Sequence, residues 1–291
     1  MRASRWSVER CGRGLVVLRS ACWALGLALL VVGCGGGVKV KLSENSHEVA
    51  HSAGLGFHRL SSVPVVHRLA KTPVRCIAAT TAVESPRVAY VALVNQEAVI
   101  REEPQGRSPV IARLGRLDEN GFREVLGVIG TRSSAHCAPD WYRVELSVLP
   151  NGTTGWVRAW AVRMYRVRSR IVVDVSQRRL RLYRSGRLEF ETRAAVGASA
   201  TPTPLGRYFV NERYVLPNAR GPFGPDVLGI SAHSNALQHV WVEDAPIGIH
   251  GTNEPWSIGH AASHGCIRVA NDVMRRLFQL APAGTPVIVK A

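Results

Sequence analysis

Apolar and polar positions alternate in short runs over most of this chain. Between residues 85 and 165 the runs "VAYVALV", "AVIREEP", "SPVIARL", "REVLGVIG", "WYRVEL" and "NGTTGWVRAWAV" are separated by turn-forming residues. That spacing predicts a small all-β barrel or sandwich. "WYRV" (141–144) is expected to pair with "GWVRAWAV" (155–162) across a turn at Asn151–Gly152. From about residue 168 a second β-rich unit begins. "RIVVDV" is an apolar strand, and "RLRLYRSGRLEFET" sets Leu180 and Leu182, then Leu188 and Phe190, on one face of a hairpin turning at Ser185–Gly186. Arg181 and Arg187 against Glu189 and Glu191 form a solvated charge lattice on the other. "GRYFV", "PIGIH" and "TPVIVK" are also strand-like, while proline and glycine crowd residues 201–206 and 221–229. One helix is expected, "DVMRRLFQL", capped by Asn271 or Asp272, with Val273, Met274, Leu277 and Phe278 buried.

The N-terminal third has a different texture. Five arginines precede "ACWALGLALLVV", an apolar stretch too short to span a bilayer but suited to a signal peptide. It ends in "VVGC", which resembles the bacterial lipoprotein signal, so residues 1–33 are expected to be removed and Cys34 lipidated. Residues 34–84 lack sustained periodicity and read as a tether. His47, His51, His58 and His67 in it have no cysteine or carboxylate partners at ligand spacing.

The chain of 291 residues carries a net charge of +16, mostly from arginine. Loss of the leader, with its five Arg and one Glu, leaves +12. Because the arginines are spread over both β-rich units rather than gathered on one recognition helix, an anionic wall or membrane surface is the expected partner, and no nucleic acid. The cysteines divide in the same way. Cys11 and Cys22 leave with the leader and Cys34 carries lipid, so Cys76, Cys137 and Cys266 remain in an oxidising compartment. A Cys76–Cys137 disulfide is expected, with Cys266 as the odd thiol.

"SIGHAASHGCIRVAN" (257–271) surrounds that thiol with donors. His250, His260, His264 and Cys266 could supply a zinc site, but Gly259 and Gly265 oppose the helix needed to align the histidines, and there is no paired-cysteine motif. No metal or cofactor is expected. Nucleophilic catalysis fits better: a thiol needs a base, the base needs an orienting acceptor, and the acyl oxygen needs backbone N–H donors. The amides of His264, Gly265 and Cys266 are the candidate donors, since Gly265 leaves access open. His250 ends the "PIGIH" strand, and Gly251 after it offers a carbonyl that can hold the imidazole tautomer. These residues alone do not say which histidine is the base. A thiol of this kind is expected to ionise well below the ordinary cysteine range.

"IHGTNEPWSIGHAASHGCIRVAN" resembles the signature of the L,D-transpeptidase catalytic domain, and the likeness extends over 168–291, where "TPTPLGRYFV" and "GPFGP" look like substrate-side loops. Residues 85–165, ending in the paired strands "WYRV" and "GWVRAWAV", resemble bacterial SH3-like domains, in which Tyr142, Trp156 and Trp160 either line a peptide groove or are buried. The resemblances imply a mainly β chain: an SH3-like barrel (85–165), then a mixed β-sandwich catalytic domain (166–291) with one or two short helices. They further imply that Cys266 is the nucleophile, His250 the base oriented by the Gly251 carbonyl, and His264 a second polar group near the thiol. Ser263, Arg268 and Asn271 fall on the substrate side, Arg268 and Asn271 either anchoring a substrate carboxylate or fixing the loop.

The implied activity is that of a monomeric, membrane-anchored envelope lipoprotein acting on peptidoglycan tetrapeptide stems and forming 3→3 cross-links through a thioester. Carbapenems should acylate such a cysteine. Three alternatives stay open: an L,D-carboxypeptidase, a wall-anchoring transpeptidase, and a non-catalytic peptidoglycan-binding lipoprotein.

Overall fold

The computed structural model describes residues 80–83, 85–133, 137–237 and 245–291. The expected leader, Cys34, most of the tether and Cys76 lie outside them. The described residues fall within one compact unit, Leu69–Ala291. Among them no helix is long and apolar enough to cross a membrane.

Eight strands make the first sheet: β1 (Thr80–Ala82), β2 (Ala89–Val94), β3 (Ala98–Arg101), β4 (Val110–Leu114), β5 (Val125–Ser133), β6 (Pro139–Glu145), β7 (Thr154–Arg158) and β8 (Val162–Val167). Their order is β4-β3-β7-β6-β5-β2-β8 with β1 on β5, and every pairing is antiparallel. The expected hairpin is present, with Trp141 opposite Arg158 and Val144 opposite Gly155. Gly152 (φ 82°) supplies the left-handed turn residue. Alternation sends Ala92, Val94, Ile100, Leu126, Val144 and Val157 into one apolar cluster. An aromatic groove does not form as one alternative had it: Trp156 is buried and only Trp160, 67% exposed, faces solvent among the two tryptophans. Cys137 is disulfide-bonded.

The second sheet is mixed. In chain order come β9 (Ser169–Asp174), β10 (Arg179–Arg184), β11 (Arg187–Arg193), β12 (Val196–Gly197), β13 (Gly206–Val215), β14 (Asp226–His233), β15 (Pro246–His250), β16 (Ala261–Ser263), β17 (Ile267–Arg268) and β18 (Pro286–Lys290). The sheet runs β11-β10-β9-β18-β13-β14-β15-β17, while β12 pairs with β16 alone. β18–β9 and β15–β17 are parallel.

The hairpin at Ser185–Gly186 forms with both residues at positive φ, as a two-residue turn between right-twisted strands requires. One side chain departs from the expected face. A bulge puts Leu182 opposite Phe190 but Tyr183 opposite Leu188, so Leu188 turns outward and is 54% exposed. Arg181 pairs with Glu191 as the charge pattern implied, but the second arginine on Glu191 is Arg179, and Glu189 reaches Arg276.

The single α-helix among the described residues, α1 (Asn271–Leu280), buries Met274 and Leu277 in the sheet's core, with Val273 and Phe278 packed at its margin. Its N-cap is Ala270, without a side-chain cap bond. Asn271 does not cap the helix because its amide oxygen is used elsewhere.

The sheets are joined by packing as well as by chain. Val91, Val125, Val167 and Phe209 form a shared apolar cluster, and burying Phe209 fully is worth roughly 2–3 kcal/mol. The Arg207 Nε donates to Glu145 Oε1 at 2.7 Å. The turn residue Asn151 grips the end of β14 twice: its Nδ2 donates to the His233 carbonyl (2.7 Å), and the His233 amide donates to its Oδ1 (2.9 Å).

Candidate active site

Cys266 stands just before β17, whose parallel register with β15 sets Ile249 opposite Ile267 and His250 opposite Arg268. The Gly248 amide hydrogen-bonds the Cys266 sulfur. Residues 248 and 250 of one strand face the same side. Both groups line one cleft of about 730 Å³. Cys266 is a free thiol.

The turn that presents the sulfur is held by its own side chains. The Ser263 hydroxyl donates to the Cys266 carbonyl (2.6 Å) and accepts from the Gly265 amide (3.2 Å). Gly265 has φ 115°, and a Cβ there would stand 2.9 Å from Ile247 Cδ1. Only glycine fits without strain. Two expectations change. Ser263 is buried with its hydroxyl committed to the turn, so it shapes the loop rather than facing substrate. The Gly265 amide, expected as an oxyanion donor, is engaged by Ser263.

The "TPTP" segment supplies a clamp that sequence reasoning missed. Buried Thr203 accepts from the Gly197 amide (2.8 Å) and donates to the Gly265 carbonyl (2.9 Å), while Thr201 donates to the Ser263 carbonyl (3.2 Å). Two threonines set among prolines were its only signal.

His250 is where the "IHG" pattern placed it. Its Nδ1 donates to the Gly251 carbonyl at 2.5 Å, which leaves Nε2 as the acceptor nitrogen. Phe223 of "GPFGP" meets the ring edge-on, centroids 5.0 Å apart. The carbonyl is fixed by crowding: a Cβ on Gly251 would meet Asn271 Oδ1 at 2.2 Å and Pro225 Cδ at 2.8 Å. Asn271 Oδ1 also accepts from the Thr252 amide (2.7 Å), so Asn271 fixes the loop after the histidine. Arg268 pairs with Glu254 in that loop, so of the two roles open to it the loop-fixing one is seen. His264 is exposed and is not among the cleft-lining residues, unlike His250.

The electrostatics depart from the expected thiolate. Burial pushes the Cys266 thiol up from its ordinary value, against the lowering pull of the Gly248 amide and the Arg268 charge. Burial likewise lowers His250 to about 4, opposed by the Gly251 carbonyl and assisted by Arg268. Both the thiol and the imidazole are therefore neutral at pH 7. Alkylation of Cys266 by iodoacetamide should show its inflection above about 8.5, the ordinary cysteine value. An inflection near 6 would contradict this account.

The cleft's remaining wall comes from the first sheet, which no sequence pattern had linked to the thiol. Residues 113–115, 117–120, 124 and 125 line it beside Asn211, Glu212 and Tyr214 of β13. There Glu124 is raised to about 7 by burial and by the Asp118 and Glu212 carboxylates. Its contribution to folding stability is present at low pH and is lost as pH rises from 4.5 to 7, because the unfolded chain ionises first. His250 acts in the opposite sense. Below 6.5 the unfolded imidazole takes a proton that the folded one refuses until about 4, so stability falls with pH through that window. Glu124→Gln should thus melt higher than the parent at pH 8, by on the order of 1–2 kcal/mol after solvent screening, and lose stability steadily from pH 6.5 to 4. A lower melting point at pH 8 would count against the burial of that carboxyl.

Comparison with known proteins agrees with this geometry. Residues 168–289 match the family model of the L,D-transpeptidase catalytic domain. The chain is 42% identical over 120 residues to YkuD of Bacillus licheniformis, covering 41% of this chain and 64% of that one. It is 36% identical over 125 residues to YkuD of Bacillus subtilis (43% and 68%), and 30% identical over 129 residues to YqjB of the same species (41% and 69%). All three are named as L,D-transpeptidases. This chain thus spans just under two thirds of the length of the first relative. With its matched segment carrying Cys266 and His250 on one cleft, the chain belongs to the L,D-transpeptidase catalytic-domain family.

Proposed function

We propose that the chain is a cysteine transpeptidase that joins peptidoglycan stems by 3→3 cross-links. The observation that carries this reading is the free Cys266 thiol sharing a cleft with an imidazole whose Nδ1 is tied to the Gly251 carbonyl. The sulfur attacks the carbonyl at the third residue of a tetrapeptide stem as His250 Nε2 takes the thiol proton. That proton passes to the departing D-alanine amine, and a thioester remains. An amine from a second stem then attacks the thioester: the C–N bond forms, the C–S bond breaks, and the amine's proton restores the thiol. No ATP is consumed, because the thioester retains the energy of the broken peptide bond.

The surrounding organisation belongs to the same reading: a lipid on Cys34 holding a monomer at the extracytoplasmic face of a membrane, a Cys76–Cys137 disulfide, an SH3-like first sheet over 85–165 and a catalytic domain from 166. The basic charge of the chain supports residence at an anionic envelope. Incubating the full chain with purified disaccharide tetrapeptide should give cross-linked dimers lacking one D-alanine. Free tripeptide alone would make it a carboxypeptidase, and unchanged substrate would reject catalysis on these stems.

A further inference from the structure

Two contacts hold the His250 ring. Its Nδ1 donates to the Gly251 carbonyl, which fixes the tautomer. The second contact is Phe223, whose ring meets the imidazole at 71° with centroids 5.0 Å apart, the edge-on arrangement that aromatic pairs prefer. The two rings differ in what solvent reaches: His250 is 3% exposed, whereas Phe223 is 50% exposed. Both line the cleft that holds Cys266. One part of the phenyl ring therefore packs on the imidazole while another meets water at the cleft.

The loop that carries Phe223 is built to keep it there. Gly224 has φ 66°, and a Cβ on it would stand 2.4 Å from Asn271 Oδ1 and 2.6 Å from Gly251 Cα. The loop backbone thus packs directly on the residue whose carbonyl orients the imidazole, an approach that suits only glycine. Pro222 and Pro225 on either side of Phe223–Gly224 have their φ angles fixed by their rings. Backbone bonds close the loop: the Gly221 amide donates to the Asn218 carbonyl (3.1 Å) and the Gly224 amide to the Gly221 carbonyl (3.0 Å). The Leu216 amide, just past β13, donates to the Pro225 carbonyl (2.8 Å). Phe223 and the Gly251 carbonyl are therefore parts of one packed unit around His250.

We propose that Phe223 is a positioning residue for the base: its ring caps the imidazole against water and holds it in the orientation set by the Gly251 carbonyl, so that Nε2 stays an unprotonated acceptor. The inference rests on the reading of His250 as the base and adds what keeps that base in place. Phe223 acts through His250 and takes no part in the chemistry at sulfur. Burial lowers His250 from 6.5 to about 4. Opening the ring to water would stabilise the imidazolium, so its titration should move back up toward 6.5. The charged and titratable neighbours are unchanged by such a substitution. Arg268 of β17, paired with Glu254, lies opposite His250 in register, and the opposite residue on β14, Val227, is uncharged. Cys266, Tyr214, His233, Glu212 and the carboxylates of the first-sheet wall share the cleft.

The test follows the His250 ring nitrogens by NMR in the full chain labelled with ¹⁵N-histidine, the signals being assigned by their loss in His250→Gln. Wild type, Phe223→Ala and Phe223→Tyr are titrated side by side. The wild-type ring should take up its proton near pH 4. In Phe223→Ala the midpoint should rise by about one pH unit or more, and in Phe223→Tyr, which keeps the ring, it should stay at the wild-type value. The acid-side inflection of carbapenem acylation should move with the ring in each variant. A melting curve shows that each variant is folded, and Phe223→Val repeats the comparison should the alanine variant not fold. A ring that titrates in the alanine or valine variant where it does in wild type, or a tyrosine variant that shifts as far as alanine, would overturn the inference. The two ideas fail separately: a normal carbapenem adduct with an unmoved ring rejects the capping role alone, and a missing adduct rejects the cysteine chemistry while the ring titration still decides the role of Phe223.

Discussion

Replacing His250 with glutamine should slow acylation of Cys266 by about 10²- to 10⁴-fold, the span that a positioned general base contributes. The reason lies in the resting charge state. Because burial keeps both the thiol and the imidazole neutral, little preformed thiolate exists to carry residual reactivity, and the proton must be taken during attack. Glutamine can keep a bond to the Gly251 carbonyl and fill most of the space, so stability should change far less than rate. Pre-steady-state acylation monitored by mass gives the rate, and a melting curve gives the stability. Acylation within a factor of about three of wild type would remove His250 from the mechanism.

Gly251→Ala should be nearly as damaging by a different route. The new methyl would overlap Asn271 Oδ1 at 2.2 Å, Pro225 Cδ at 2.8 Å and Gly224 Cα at 3.0 Å, two of these being backbone or ring atoms that cannot swing aside. Either the Gly251 carbonyl leaves the imidazole, or the start of α1 and the "GPFGP" loop separate. Overpacking of this kind costs about 1–3 kcal/mol of stability, and loss of the tautomer-fixing acceptor should lower acylation by about 10²-fold or more. Stability and rate measured together test this, since a variant with both unchanged would show that the carbonyl is dispensable.

What could be read ahead of the structure was what neighbours in sequence determine. The turns at Asn151–Gly152 and Ser185–Gly186, the buried stripe of α1 and the His250–Gly251 pair all depend on residues within a few positions of one another. Leu188 was misplaced because one bulge reverses the facing of a strand end and leaves no mark in an alternating pattern. The Thr203 clamp and the Glu124 wall lie far along the chain from Cys266 and meet it only through folding. The thiol's ionisation was misjudged for a related reason: a histidine nearby in sequence suggests a thiolate, whereas burial, which sequence does not report, raises the thiol and lowers the imidazole. Ser263 and Asn271, expected on the substrate side, instead spend their side-chain bonds on the loops around Cys266 and after His250.

The most direct measurement is intact-mass analysis of the protein after exposure to a carbapenem, followed by proteolytic mapping of the adduct. One covalent equivalent should form and map to the peptide containing Cys266, and none should form on Cys266→Ala. An unmodified wild-type protein, or an adduct that persists in the alanine variant, would contradict the account of this cysteine as the acyl-carrying nucleophile.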